Sequence, residues 1–164
     1  METIFILLNM LLGSFTTNSV DGIKSQVAII DRVDPHNLQV VSGRFYSVKI
    51  DLINDTDTTL DFWTMSCSWQ DNWVIEDKSL LFFIYCRKNT PKLVRLEPRE
   101  KMTYNGIVEL VDTINLNTSK EYRMGFVLVK KNEVRLDSEF PTVLYKKIDA
   151  KEDIYWCEPF KINK

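Results

Sequence analysis

Tyr46-Ser47-Val48-Lys49-Ile50-Asp51-Leu52 is the stretch on which the fold turns. Its apolar residues recur at every second position, so Tyr46, Val48, Ile50 and Leu52 share one face of a strand while Ser47, Lys49 and Asp51 share the other. A segment with one greasy and one wet face belongs to an antiparallel sheet lying on a core. The strand spans Arg44 to Asn54, and the apolar face points inward. Asn54-Asp55-Thr56-Asp57 follows, rich in side chains that bond their own backbone, and predicts a turn that folds the next strand back as a hairpin.

That next strand opens the most aromatic part of the chain, Phe62-Trp63-Thr64-Met65-Ser66-Cys67-Ser68-Trp69-Gln70-Asp71-Asn72-Trp73, which holds three of the four tryptophans. Leu60, Phe62 and Thr64 fall on one side; Asp61, Trp63, Met65 and Cys67 fall on the other. With apolar side chains on both faces, the strand is expected in mid-sheet, with the core on one side and a loop or partner on the other. From Ser68 the period is lost, placing Trp69, Gln70, Asp71, Asn72 and Trp73 on a loop. Two readings of that loop stay open. Its indoles close the end of the core, with ring nitrogens bonded to carbonyls, or they form an exposed platform for a sugar or peptide.

Outward from these strands the pattern repeats. Gln26–Asp31 and Leu38–Val41 read as strands. Leu80–Cys86 is a continuous apolar run, as of a strand buried on both faces. Lys92–Leu96 is short, and Glu97–Glu100 turns the chain. Lys101–Val111 places Met102, Tyr104, Val108 and Leu110 on one face, interrupted by Gly106, where a bulge or close contact is expected. Asp112–Lys120 is a polar loop, and Glu121–Lys130 aligns Tyr122, Met124, Phe126 and Leu128. Phe140, Val143, Leu144 and Ile148 recur at helical spacing behind Ser138 as a cap. Ile154–Ile162 reads as a last strand, with Pro159 marking an edge or bulge.

Strands separated by turn signals every ten residues or so describe an all-β antiparallel sandwich of about seven to nine strands, with one short helix near the C-terminus. The run Val48-Lys49-Ile50-Asp51-Leu52-Ile53-Asn54-Asp55-Thr56 with Leu60-Asp61-Phe62, then Leu96-Glu97-Pro98-Arg99-Glu100 leading to Tyr104-Asn105-Gly106, resembles immunoglobulin-like accessory domains of exported proteins. Small bacterial proteinase-inhibitor sandwiches share a similar outline. The resemblance covers roughly Arg44 to Lys130, implies the immunoglobulin-like variant of the sandwich, and carries over no functional residue. Cys67 and Cys86 stand too close in sequence to bridge the two strands linked in antibody domains.

The chain of 164 residues, 45% hydrophobic and 27% charged, suits one globular domain with a sizeable core. A net charge of −2, with bases scattered among acids, disfavours nucleic acid. Ile4-Phe5-Ile6-Leu7-Leu8-Asn9-Met10-Leu11-Leu12 has the length of a signal-peptide core and is short for a membrane span. No lysine or arginine precedes it. Residues 1–19 are therefore expected as a leader and 20–164 as the mature domain, with no integral membrane span and 21 bases against 22 acids. The expected location is secreted, periplasmic or cell-surface, with the cytoplasm as the alternative. Among three possible cysteine pairings, Cys67–Cys86 is preferred because it ties the aromatic loop to the following strand; three reduced thiols are the competing reading.

No reaction chemistry assembles in the sequence. A cysteine or serine nucleophile wants a histidine, and His36 beside Pro35 sits in a turn. One histidine and three dispersed cysteines make no zinc pattern. Asp55, Asp57 and Asp61 lack the glycine and late glutamate of a calcium loop, and no cofactor motif is present. Asn54-Asp55-Thr56 and Asn117-Thr118-Ser119 match a glycosylation acceptor, a match that chance explains in such turns. The expectation is a non-enzymatic domain acting by binding or structural association with an unknown protein or glycan, the alternatives being a carbohydrate-binding module using exposed tryptophans and a small proteinase inhibitor.

Overall fold

The computed structural model describes residues 22–111 and 120–162. The leader expected at residues 1–19, most of the loop at 112–120 and the Asn117 tripeptide lie outside them. In chain order the strands are β1 (Ile23–Val33), β2 (Phe45–Asn54), β3 (Leu60–Met65), β4 (Trp73–Ile75), β5 (Leu80–Phe82), β6 (Pro91–Leu96), β7 (Lys101–Leu110), β8 (Glu121–Tyr122), β9 (Met124–Val127), β10 (Ile154–Trp156) and β11 (Phe160–Lys161), with one helix, α1 (Phe140–Ala150). All strand pairings are antiparallel.

One sheet runs β1-β2-β7-β5. The other is assembled from three ladders: β3 with β6, β9 between β10 and β4, and β8 with β11. The Trp63 amide donates to the Val129 carbonyl at 2.9 Å, and Phe62 bridges Lys130, which joins β3 to the chain leaving β9. Between the sheets lie Val48, Ile50, Leu52, Phe62, Leu96, Val108, Met124, Phe126 and Leu128, all buried. The chain is thus an all-β antiparallel sandwich with a C-terminal helix, and the face of β2 expected to point inward does so.

A third layer covers the outer face of the second sheet. Phe140 and Leu144 of α1 pack on Val127 and Val129, with Trp63, Met65, Val74 and Ile154 around them. This explains why β3 is apolar on both faces: sandwich core on one side, helix on the other. The expected Ser138 cap of α1 is not formed. Asp137–Glu139 forms a 3-10 turn leading straight into the helix, which has no side-chain cap, while the Glu139 carboxylate reaches back to accept from the Arg135 and Leu136 amides at the start of that turn.

Several expectations are corrected. β2 and β3 do not form a hairpin, because β1 and β7 occupy both edges of β2. The turn instead arches from one sheet to the other, held by Asn54, whose Nδ2 donates to the Thr58, Leu96 and Glu97 carbonyls at 2.8, 3.1 and 3.1 Å. Leu38–Val41 is no strand; Asp34 caps a 3-10 turn over Pro35–Leu38. The run from Leu80 is a strand only to Phe82, at the sheet edge, and leaves Leu81, Ile84 and Tyr85 exposed rather than covered on both faces. The last strand is divided around Pro159 into β10 and β11. At Gly106 the close contact, not the bulge, is what occurs: the β2–β7 register is continuous there and the Trp69 indole lies against the glycine.

Candidate functional site

The segment carrying the expected binding residues is ordered by its neighbours rather than free as a loop tip. Cys67 and Cys86 form a disulfide with Cα atoms 5.8 Å apart. Beside it, the Asn89 side-chain oxygen accepts from the Cys67 and Ser68 amides, each at 3.2 Å, and the Ser66 amide donates to the Thr90 carbonyl at 2.8 Å. Trp69–Asn72 closes as a 3-10 turn that feeds directly into β4.

The five residues then part company. Asn72 is fully buried, and its Nδ2 donates to the Trp63 and Val127 carbonyls at 3.0 and 3.2 Å, filling the fork between β3 and β9. Trp73, 5% exposed, packs on Phe126 with ring centroids 5.2 Å apart. Its ring nitrogen finds no carbonyl, contrary to expectation. Asp71 is half-buried and takes the Ser68 hydroxyl, and Gln70 is half-buried beside it. The pair of exposed indoles imagined from sequence is therefore absent: β4 draws Trp73 inward by pairing it with Phe126.

Trp69 has a different environment. Its ring stacks on Tyr104 at 4.6 Å, meets the edge of Phe82 at 5.8 Å, and occupies the space that a side chain at position 106 would fill. Near Tyr104 the first sheet has an open edge, since β5 ends at Phe82 and leaves the first half of β7 without a neighbouring strand there among the described residues. A cleft of about 320 Å³ lies there, lined by residues 64–66 at the end of β3, residues 92–95 of β6, Met102 and Tyr104 of β7, and Trp69.

The cleft is apolar with a polar minority. Thr64 is 4% exposed, and its hydroxyl has no hydrogen-bond partner among the described residues; the Tyr104 hydroxyl is likewise buried and without a partner among them. Burial pushes the Tyr104 phenol up to about 12, so it keeps its proton and remains a donor. Lys92 stands opposite Thr64 in the β3–β6 register, so both belong to the inner face that also carries Val94 and Leu96. It is exposed at the mouth, and no carboxylate among the described residues pairs with it.

Sequence reasoning reached Trp69 but passed over Thr64, Lys92, Met102 and Tyr104. The signal was present: Lys92 has the parity of Val94 and Leu96, and a lysine on a core-facing register marks either an edge or a site.

Elsewhere the acidic turn is engaged in structure. Arg99 pairs with Asp55 at 2.6 Å and Asp57 at 2.9 Å, Lys24 also holds Asp55, and Arg95 grips Asp61 at 2.9 Å. The acidic turn is thus neutralised by side chains. His36 is exposed on its 3-10 turn, and Cys157 is buried, with burial pushing its thiol up. Asn54, 1% exposed and bonded through both side-chain atoms, offers no amide for glycosylation in the folded state. A second, more open depression of about 430 Å³ between β3 and Lys130–Asn132 has no unpartnered buried polar atom in its lining.

No protein-family model matches the chain, and no curated protein does. A solved structure, the FixG-related protein from Vibrio parahaemolyticus, aligns with 87% of this chain and 97% of its own at 10% identity and a TM-score of 0.40.

Proposed function

We propose that this chain is a non-catalytic, exported, immunoglobulin-like binding domain whose recognition site is the cleft at the open edge of the sandwich. The observation that carries the reading is the Thr64 hydroxyl, nearly excluded from water yet unpartnered beside an apolar cleft walled by Trp69 and Tyr104. Buried hydroxyls are ordinarily satisfied, and an exception calls for an explanation such as strain, a catalytic role, or a water or ion that completes the set. The volume falls at the lower end of small-molecule sites, about 300–1,000 Å³, with the usual mixture of apolar walls and few polar groups.

Two further observations support the rest. The Cys67–Cys86 disulfide suits an oxidising compartment. The cysteines offer no activated nucleophile, two being bridged and the third a buried thiol pushed away from thiolate. The carbohydrate alternative loses its motive, since Trp73 is in the core and one face of Trp69 is covered by Tyr104.

The test is a thermal-shift and calorimetric screen of the purified protein against small acids, amines, sugars and short peptides, run beside a Met102→Trp variant that fills the cleft. Hits lost in the variant support the reading. Hits unaffected by it, or turnover of any ligand, overturn it.

A further inference from the structure

Resting on the cleft reading above, we infer that the cleft selects a small amphipathic carboxylate, held by the Lys92 ammonium at the mouth and by the Thr64 and Tyr104 hydroxyls at its wall, with its apolar body against Trp69, Val94 and Met102. The lining combines these chemistries in one place. Thr64 and Lys92 are directly opposed in the β3–β6 ladder, which sets their Cβ atoms about 5 Å apart on one face. An ammonium with three donors and two hydroxyls able to donate present a donor-rich end. That end fits an anion with several acceptor lone pairs and leaves an ammonium-bearing ligand repelled.

Lys92 meets no carboxylate among the described residues. The other inner-face positions of β6, Val94 and Leu96, are buried and apolar, and Arg95, which also lines the cleft, is already engaged by Asp61. A lysine ending an apolar row, across from an unpartnered threonine, is placed to meet a negative group entering between the sheets. Charge-assisted bonds to carboxylate are shorter and about twice as strong as neutral ones. The volume, about 320 Å³, equals roughly ten waters' share of the liquid. That suits a free acid of modest length better than the several residues of a peptide terminus.

The probes are octanoate and phenylacetate, with octanol and methyl octanoate as uncharged counterparts and a pentapeptide ending in a free leucine carboxylate, titrated by calorimetry and by tryptophan fluorescence. The expected result is binding of the free acids at least tenfold tighter than octanol or the ester, reduced roughly ten- to a hundredfold in Lys92→Met and in Thr64→Val. Lys92→Met keeps an apolar stem at an exposed position, so its fold is not at stake; circular dichroism checks both variants. If octanol and octanoate bind equally and both are lost in Met102→Trp, the cleft reading stands and the carboxylate inference falls. Binding of the peptide alone also removes the inference. If neither acid nor alcohol binds the wild-type protein, or if Met102→Trp and a second filling variant, Val94→Phe, both fold and still bind, the inference and the cleft reading fall together.

Discussion

Replacing Thr64 by valine should stabilise the unliganded protein. Thr64 is the penultimate residue of β3, with 4% of its surface exposed, and its hydroxyl donates to and accepts from nothing among the described residues. Valine has nearly the same shape and is as favourable in a strand, so the change exchanges an orphan hydroxyl for a methyl without opening a cavity. An unsatisfied buried polar group costs about 1–3 kcal/mol. The adjoining cleft admits some water, which argues for the lower end, a gain of about 1 kcal/mol. In a domain of this size that is about 3 °C in Tm. Urea unfolding followed by circular dichroism should move the midpoint upward with an unchanged m-value. Thr64→Ser, which keeps the hydroxyl and deletes the methyl, should instead lose about 1 kcal/mol. A valine variant less stable than the parent would show that the hydroxyl has a partner in solution, and would remove the premise on which the cleft was read as a site.

Other outcomes follow from the same geometry. Asn54→Ala removes the side chain that ties three carbonyls across the arch between sheets, and should cost about 2–3 kcal/mol in chemical unfolding. Mass mapping of protein secreted from a glycosylating host should find Asn54 unmodified, because its amide is buried; a glycan there would mean that modification precedes folding. Reduction of Cys67–Cys86, which closes a loop over a separation of 19, should lower stability by about 3 kcal/mol while leaving far-ultraviolet dichroism native at neutral pH. Asp77 is held down to about 2, first by the hydrogen bond from Lys120 and then by Ser79. Because its folded value lies below the unfolded 3.8, the stabilisation is present above pH 4 and is lost as pH falls toward 2. With the side chain a third exposed, it amounts to about 1 kcal/mol after screening, and Asp77→Asn should flatten the stability profile across that interval.

Local pattern and final architecture agree where the pleat alone decides. Tyr46, Val48, Ile50 and Leu52 point inward because alternate side chains must, and the same holds for Tyr122, Met124, Phe126 and Leu128. The helix at Phe140 was legible from its period, although its start was not, since a 3-10 turn runs straight into it and leaves no side-chain cap for Ser138 to supply. Leu80–Cys86 misled because a continuous apolar run does not say how many of its residues find a neighbouring strand; the strand ends at Phe82, with one further bond from the Phe83 amide to the Ile107 carbonyl.

Side-chain alternation along each strand, and with it the all-β character of the chain, was written in the sequence, because the two-residue repeat depends on nothing beyond the backbone of that strand. Tertiary structure alone decided which strands meet. It set β2 between β1 and β7 rather than beside β3, drew Trp73 into the core through its pairing with Phe126, and placed Lys92 across from Thr64 at an open edge. Pairing is a choice among distant segments with similar local patterns, made by whichever arrangement closes both sheets over one core and satisfies their backbone groups.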